Sequence, residues 1–184
     1  LPFLQRLTGQ CKALLAKFGG HPMAAGMSIE PDKLDELRRK LNEYCGLTEE
    51  DLILKVWIDV PMPLEYISEK VIDDLSVLEP FGKGNEKPVF ADTGLQIKNL
   101  SHMGKERQFT KVIISKQAQF VDGIGNPFVS EVTMEAVMFS INEVLENAYA
   151  AGNKVNVLYY PSVNEFNGNR KLQIVLSSVK VCRE

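Results

Sequence analysis

Apolar positions at the start of the chain recur at helical spacing. Leu4, Leu7, Cys11, Leu14, Leu15 and Phe18 fall on one stripe, which predicts a helix over 3–18 with Gly19-Gly20 as its left-handed C-terminal cap. The period then changes: residues 21–29 are rich in small side chains and read as extended. Pro31 opens a second helix, whose Leu34, Leu37, Leu41 and Tyr44 recur until Gly46. Alternation over 53–60 predicts a strand broken by Pro61 and Pro63. Leu64, Ile67, Val71, Leu75 and Leu78 then describe an amphipathic helix that stops at Pro80. From residue 87 onward the pattern is that of strands, over about 89–100, 109–116, 132–139, 155–163 and 171–181. One helix interrupts them, with Ser140 and Glu143 as a capping box, Ile141, Val144, Leu145 and Ala148 as its apolar side, and Gly152 as its close.

Five strands with a helix between the third and fourth suggest an OB-type barrel, so the chain reads as α+β. Its 184 residues suffice for one ordinary domain or two small ones, and with 45% hydrophobic and 24% charged residues it is neither disordered nor collagen-like. No apolar run approaches the roughly 20 residues that cross a bilayer, and no secretory signal opens the chain, so a soluble, cytoplasmic protein without membrane partners is expected. The chain starts at Leu1 inside a helical pattern, which suggests a piece of a longer polypeptide. Cys11, Cys45 and Cys182 are far apart and odd in number, and only His21 and His102 accompany them. A zinc site or disulfide framework is therefore not expected, and Cys11 and Cys45 read as small buried apolar groups in a reducing compartment.

The net charge of -3 hides a division. Residues 1–45 carry 7 basic and 5 acidic groups, residues 46–86 carry 3 and 10, and residues 87–184 carry 11 and 9. The acidic middle suits a solvated spacer or docking surface, and any polyanion is expected at the flanks. The carboxylates at Glu49 to Asp51 and at Asp73-Asp74 have no histidine at ligand spacing and read as solvated helix ends, not a metal site.

The run Gly19-Gly20-His21-Pro22-Met23-Ala24-Ala25-Gly26 carries the most chemistry. Glycines remove the β-carbons that would keep a phosphodiester away, exposed N–H groups can cradle its oxygens, and an imidazole can donate to one of them. A histidine beside a phosphoryl group can also assist the leaving oxygen. A second reading stays open from the residues alone: a tight turn and a closely packed strand, with His21 merely hydrogen-bonded.

This run resembles the signature of the DHHA1 domain of DHH-type phosphoesterases. The block Leu78-Glu79-Pro80-Phe81-Gly82-Lys83-Gly84-Asn85-Glu86-Lys87-Pro88-Val89-Phe90 is similar to the one leading into the OB domain of the RecJ family of single-stranded-DNA-specific exonucleases. Asn164-Glu165-Phe166-Asn167-Gly168, followed by Leu172-Gln173-Ile174, resembles the last hairpin of that domain. The resemblance implies a partial DHHA1 α/β unit over 1–60, a connecting helix and glycine-rich hinge over 61–86, and a five-stranded OB barrel over 87–184. It implies the C-terminal part of an enzyme that degrades single-stranded DNA from the 5′ end with Mn2+ or Mg2+. The metal ligands of that family lie on an N-terminal DHH domain acting in cis, so this chain alone is expected to hold no metal or other cofactor and to be inactive.

By the same resemblance, His21 contacts and assists at the phosphate, and Gly19, Gly20, Ala24, Ala25 and Gly26 line the cleft. On the barrel, OB folds hold single strands with cations that track the backbone and aromatics on which bases stack. The candidates are Phe109 and Lys111 on the second strand, Tyr159 or Tyr160 on the fourth, Phe166 with Arg170 and Lys171 at the last hairpin, and Lys98, Lys105 and Arg107 around the first turn. Aromatics in such positions are more often barrel core than stacking platform, and the cations more often solvated edges. Lys83 and Asn85 are placed in a loop that combines hinge and backbone contact. The expected partner is single-stranded DNA, with a helicase or single-strand-binding protein as further partners. Two alternatives stay open: a DHH-type phosphodiesterase for short or cyclic oligonucleotides, and a docking module using the acidic middle helix.

Overall fold

A computed structural model of the chain describes residues 3–21, 24–53, 55–166 and 168–182, without the side chains of Phe3, Leu4, Gln5, His21 and Phe166. The chain divides into two compact units, Leu1–Val56 and Trp57–Glu184. Among the described residues no helix is long and apolar enough to cross a membrane.

The first unit runs through α1 (Phe3–Gln10), a 3-10 turn (Lys12–Leu14), β1 (Leu15–His21), β2 (Ala24–Ile29), a second 3-10 turn (Pro31–Lys33) and α2 (Leu34–Cys45). The helix expected over 3–18 ends at Gln10, and Leu15 to Gly20 belong to a strand. Short apolar runs fit both periods, and here pairing decides: β1 and β2 are antiparallel, with Gly19 opposite Gly26 and Gly20 opposite Ala25. Gly19-Gly20 is therefore part of a hairpin and not a helix cap. A β-carbon on Gly20 would strike the carbonyl oxygen of Ala24 and lie 2.9 Å from the Cα of Ala25. The extended reading of 21–29 holds on either side of Pro22 and Met23, which are outside the described residues. The second helix follows its signals, with Pro31 leading and Gly46 left-handed at φ 60°. Cys11 is buried and Cys45 is half-buried.

The second unit opens with β3 (Val60–Pro61), which takes only Val60 from the strand expected over 53–60 and includes Pro61, the residue expected to break it. Val60 and Pro61 pair parallel with Phe90 and Ala91, and the Asp59 N–H donates to the Val89 carbonyl at 2.9 Å just ahead of them, while Ile53, Trp57 and Ile58 are exposed; Leu54 lies outside the described residues. The helix expected over 64–78 is interrupted. A 3-10 turn over Leu64–Tyr66 gives way at Ile67 to extended backbone, and α3 (Glu69–Ser76) restarts under a Ser68 cap that accepts the Val71 N–H. The interruption lets Leu64 and Ile67 both enter the core.

Beyond it lie β4 (Phe90–Met103), β5 (Phe109–Val121), β6 (Pro127–Met138), α4 (Glu143–Ala151), β7 (Lys154–Phe166) and β8 (Asn169–Val181). Among the described residues these five strands close a barrel in the order β4-β5-β6-β8-β7, with β7 pairing back onto β4. Every pairing is antiparallel except β6 with β8, and α4 connects the third strand to the fourth, as an OB-type barrel requires. Alternate residues fill the interior, among them Leu95, Ile97, Val112, Ile114, Ala136, Val157 and Ile174, with Leu145 and Ala148 of α4 added. The α4 cap is Asn142, whose Oδ1 accepts the Leu145 N–H at 3.0 Å, and not the Ser140-Glu143 box. Ser140 is held back by its carbonyl, which accepts from Thr110 Oγ1 at 2.9 Å, and Ile141 and Val144 stay exposed. Gly152 closes the helix at φ 70°.

Residues 61–86 lie within this second unit. Asp92, with its side chain 3% exposed, accepts the Leu64 N–H at 2.9 Å and Lys116 Nζ at 2.8 Å. The Tyr159 hydroxyl donates to the Met62 carbonyl at 2.6 Å. Two polar anchors thus fix the entry segment to the barrel wall.

Candidate nucleic-acid interface

In the first unit the hairpin brings the small residues together. Gly19, Gly20 and Ala25, with Thr8 and Phe18, line a cavity of about 250 Å³. Gly26 faces Gly19 across the ladder and Ala24 faces His21. A β-carbon would meet open space at Gly19 and at Gly26, so only Gly20 is required by close packing. The arrangement leaves backbone open to a ligand at the first two positions. The His21 side chain lies outside the described residues.

On the barrel, the period of two sends Lys111 and Ile113 of β5, Glu135 of β6 and Lys171 and Gln173 of β8 to the outer side, opposite buried Val112, Ile114, Ala136 and Ile174. Register aligns Ile113 with Glu135 and Glu135 with Gln173. A groove of about 430 Å³ runs here, lined by Ile113, Thr133, Glu135, Arg170 and Lys171 among others. Lys111 Nζ sits 3.1 Å from Glu135 Oε2, and Lys171 Nζ donates to Glu135 Oε1. Desolvation of the Glu135 carboxyl pushes its pKa up, but hydrogen bonds from Lys171 and Lys111 outweigh it and hold the group below the ordinary carboxylate value. Arg170 Nε pairs with Glu165 at 2.8 Å, and Lys98 Nζ with Glu131 at 2.7 Å. The Lys98 hydrogen bond is the main reason that the Glu131 carboxyl is also lowered.

Of the aromatic candidates, Phe109 stands at the start of β5, half-buried, with its ring 5.5 Å from that of Phe139 in an edge-to-face contact. Phe139 is 65% exposed and was not singled out by the sequence. It follows the last residue of β6, so strand pattern alone gives no reason to separate it from the core. Tyr159 is buried. Tyr160 is covered: Lys87 Nζ lies 4.3 Å from its ring centroid and Phe81 meets it at 5.9 Å. The Phe166 side chain lies outside the described residues, as does Asn167.

The loop of residues 78–88 is closed on itself. Asn85 Nδ2 donates to the carbonyls of Leu78 at 2.8 Å and Pro80 at 3.0 Å, and Gly82 and Asn85 exchange backbone hydrogen bonds; the Glu79-Pro80 peptide is cis. Asn85 thus shapes the loop with both amide hydrogens, while Lys83 stands exposed at its turn. Arg107 occupies the β4–β5 turn at φ 54°, with its N–H bonded to the Gly104 carbonyl. Among the described residues Lys83, Lys105 and Arg107 make no ion pair. The structure therefore gathers Lys111, Lys171 and Arg170 around one groove, and sets Lys83, Asn85 and Tyr160 at a second place and Arg107 at a third. The partners that sequence reasoning missed, Glu131, Glu135 and Lys87, are common surface residue types whose pairing depends on strand register. Among the described residues no group of three or more His, Cys, Asp or Glu is placed to hold a metal ion.

A family model described as the RecJ OB domain matches residues 58–178, and one described as the DHHA1 domain matches residues 3–47. The chain is similar to the single-stranded-DNA-specific exonuclease RecJ of Bacillus subtilis (strain 168), at 29% identity over 174 residues, 94% of this chain and 20% of that protein. It is similar to that of Haemophilus influenzae at 25% identity over 179 residues, 96% of this chain and 29% of that protein. The chain thus spans less than a third of the length of these curated relatives. A crystal structure of RecJ from Thermus thermophilus in complex with Mg2+ superposes with a TM-score of 0.66 at 17% identity, covering 98% of this chain and 25% of that one, a likeness of fold. With the RecJ OB model matched over well more than half of its length and the DHHA1 model matched ahead of it, the chain belongs to the RecJ family.

Proposed function

We propose that this chain is the strand-gripping, C-terminal part of a single-stranded-DNA-specific exonuclease, which hydrolyses phosphodiester bonds from the 5′ end in DNA repair and recombination. The observation that carries the proposal is the succession of a DHHA1 unit and a RecJ OB barrel in one chain. In this reading the barrel groove follows the DNA backbone with Lys111, Lys171 and Arg170, and Phe109 with Phe139 offers a base an aromatic face. Lys83 and Arg107 contact phosphates from their loops. Asn85 acts by shaping the Lys83 loop, and Tyr160 by anchoring it through Phe81 and Lys87. Phe166 stacks at the last hairpin. In the first unit, Gly19, Gly20, Ala24, Ala25 and Gly26 admit the backbone of the strand, and His21 donates to the phosphate beside the scissile bond.

The Thermus structures similar to this chain are complexes of RecJ with Mg2+ and with Mn2+. Among the described residues of this chain no group of three or more His, Cys, Asp or Glu stands together in a way that could hold a metal ion. We assign the metal chemistry to an N-terminal DHH domain in cis, and derive no step of it from these residues. A helicase or single-strand-binding protein is a fitting partner for such an enzyme, and the cytoplasm its setting.

The test is fluorescence anisotropy with a 5′-phosphorylated oligothymidylate and with a duplex of equal length, at low and physiological salt. Preference for the single strand, weakened by salt, is expected. His21→Ala should weaken only 5′-phosphorylated ligands, and Phe109→Ala should lose about 1–3 kcal/mol on all single strands. Equal affinity for the duplex, or no binding by the folded chain, would overturn the proposal.

A further inference from the structure

Cations on the outer face of the barrel come with carboxylates of their own. Lys98 is held by Glu131, Arg170 by Glu165, and Lys111 and Lys171 converge on Glu135. Glu135 differs from the other two acids in position. It stands in the middle of the face, aligned with Ile113 on one side and Gln173 on the other, and its side chain is 13% exposed while that of Lys171 is 63% exposed. The Glu135 carboxylate is therefore built into the sheet, whereas the Lys171 ammonium is free to swing away from it.

From this geometry we infer that Glu135 is an internal competitor for the DNA phosphate, a residue that sets how tightly the barrel holds the strand. The inference rests on the reading of the barrel as a single-strand grip. A carboxylate and a phosphodiester are both monoanions that accept from ammonium groups. A strand entering the groove can recruit Lys111 and Lys171 only by drawing them off Glu135, which lies in the same groove and does not leave. Phosphate contacts made by cations already neutralised within the protein release fewer counterions, so the affinity and its salt dependence both fall below what the cation count suggests. The consequence suits an enzyme that advances along its substrate. When the strand shifts by one nucleotide, each lysine passes from phosphate to Glu135 and back, and never faces a bare intermediate.

The prediction is a gain of binding on removal of an acid. Glu135→Gln keeps the shape of the side chain and frees two lysines. At about 0.7 in logarithmic salt slope per single-strand phosphate contact, the slope should steepen by about 1.4, which at about 0.1 M salt corresponds to roughly 25-fold tighter binding of a labelled oligothymidylate. Glu131→Gln frees only Lys98, and should give about 0.7 and roughly fivefold. Glu50→Gln, the same change of net charge on an exposed 3-10 turn of the first unit, should leave the slope unchanged. Adding Lys111→Ala and Lys171→Ala to Glu135→Gln should remove the gain. If the unaltered chain binds and Glu135→Gln binds no more tightly, or if Glu50→Gln matches it, the inference fails while the single-strand reading stands. No binding by any of the chains would overturn that reading, and the inference with it.

Discussion

The Asp92 anchor offers a sharp test of how the entry segment is held. Asp92→Asn preserves volume but removes the charge that Lys116 meets at 2.8 Å, and turns one acceptor oxygen into a donor. The two oxygens of Asp92 accept from the Leu64 N–H at 2.9 Å, the Thr93 N–H at 2.7 Å and Lys116 Nζ. An amide has one acceptor oxygen, so at least one buried donor is left facing an NH2 group. Breaking a buried ion pair from one side costs about 3–5 kcal/mol. Lys116 keeps a side-chain exposure of 18% and a carboxylate of Glu65 at 3.9 Å, so part of its charge can be resolvated, which places the loss near the lower end, about 3 kcal/mol. For a unit the size of Trp57–Glu184, that lowers Tm by roughly 10 °C. Urea unfolding of the barrel, followed by near-UV circular dichroism, measures the loss, and hydrogen exchange at the Leu64 amide should show protection falling ahead of the rest. Combined with Lys116→Met, the two losses should sum to less than their separate values by at least about 1 kcal/mol. A destabilisation under about 1 kcal/mol for Asp92→Asn, with Leu64 still protected, would refute the anchor.

Further expectations follow from other groups. Gly20→Ala forces its β-carbon onto the backbone of Ala24 and Ala25 and should destabilise the first unit by about 1–3 kcal/mol, whereas Gly19→Ala meets open space; a thermal melt showing equal losses would contradict the packing argument. Burial first, and then the charges of Asp92 and Glu65, raise the Tyr159 hydroxyl well above its ordinary 10.0. Its stabilising share is full below pH 10 and drains away as pH rises beyond it, so Tyr159→Phe should flatten the alkaline limb of the stability curve, after losing about 1 kcal/mol at neutral pH with the bond to Met62. Glu135 has the opposite sign. Its depressed pKa contributes stability above the ordinary value of 4.5 that is lost as pH falls through the folded-state value, and Glu135→Gln should show no such loss on acid titration.

The barrel was legible because its information is local and repeated. Each strand alternates over enough residues for the inner face to be named, and Gly152 and the 143–151 helix mark the place where an OB barrel inserts one. What failed was decided by partners distant in sequence. Leu15 to Phe18 fit a helical stripe, but β2 supplies a ladder that a single helix cannot match. Residues 53–59 alternate as a strand should, yet among the described residues pairing with β4 begins at Val60, with Asp59 joined to the edge by its N–H bond to the Val89 carbonyl. The small-residue run and the Phe81 to Asn85 loop were found by composition, while the division of labour within them was not: Gly20 differs from Gly19, and Asn85 from Lys83, only through neighbours that the fold brings up. The acids Glu131 and Glu135 were invisible as site residues for the same reason.

That pairing also changes what the charge distribution means for binding. Residues 87–184 hold more basic than acidic groups, which taken alone favours a polyanion. The cations Lys98, Lys111, Lys171 and Arg170 on the barrel face, however, are already matched by Glu131, Glu135 and Glu165, whereas among the described residues Lys83, Lys105 and Arg107 in the loops make no ion pair. If these three carry the electrostatic part of binding, the salt slope for a single strand should be about −2, at about 0.7 per contact, despite the larger number of cations on the surface. Lys83→Ala and Arg107→Ala should each take about 0.7 from it and weaken all sequences alike, because phosphate contacts do not read bases. A slope of about −4 or steeper in the unaltered chain would mean that the lysines leave Glu131 and Glu135 without penalty. The carboxylates would then be bystanders, and the control of grip would have to lie in stacking on Phe109 and Phe139, which salt does not weaken.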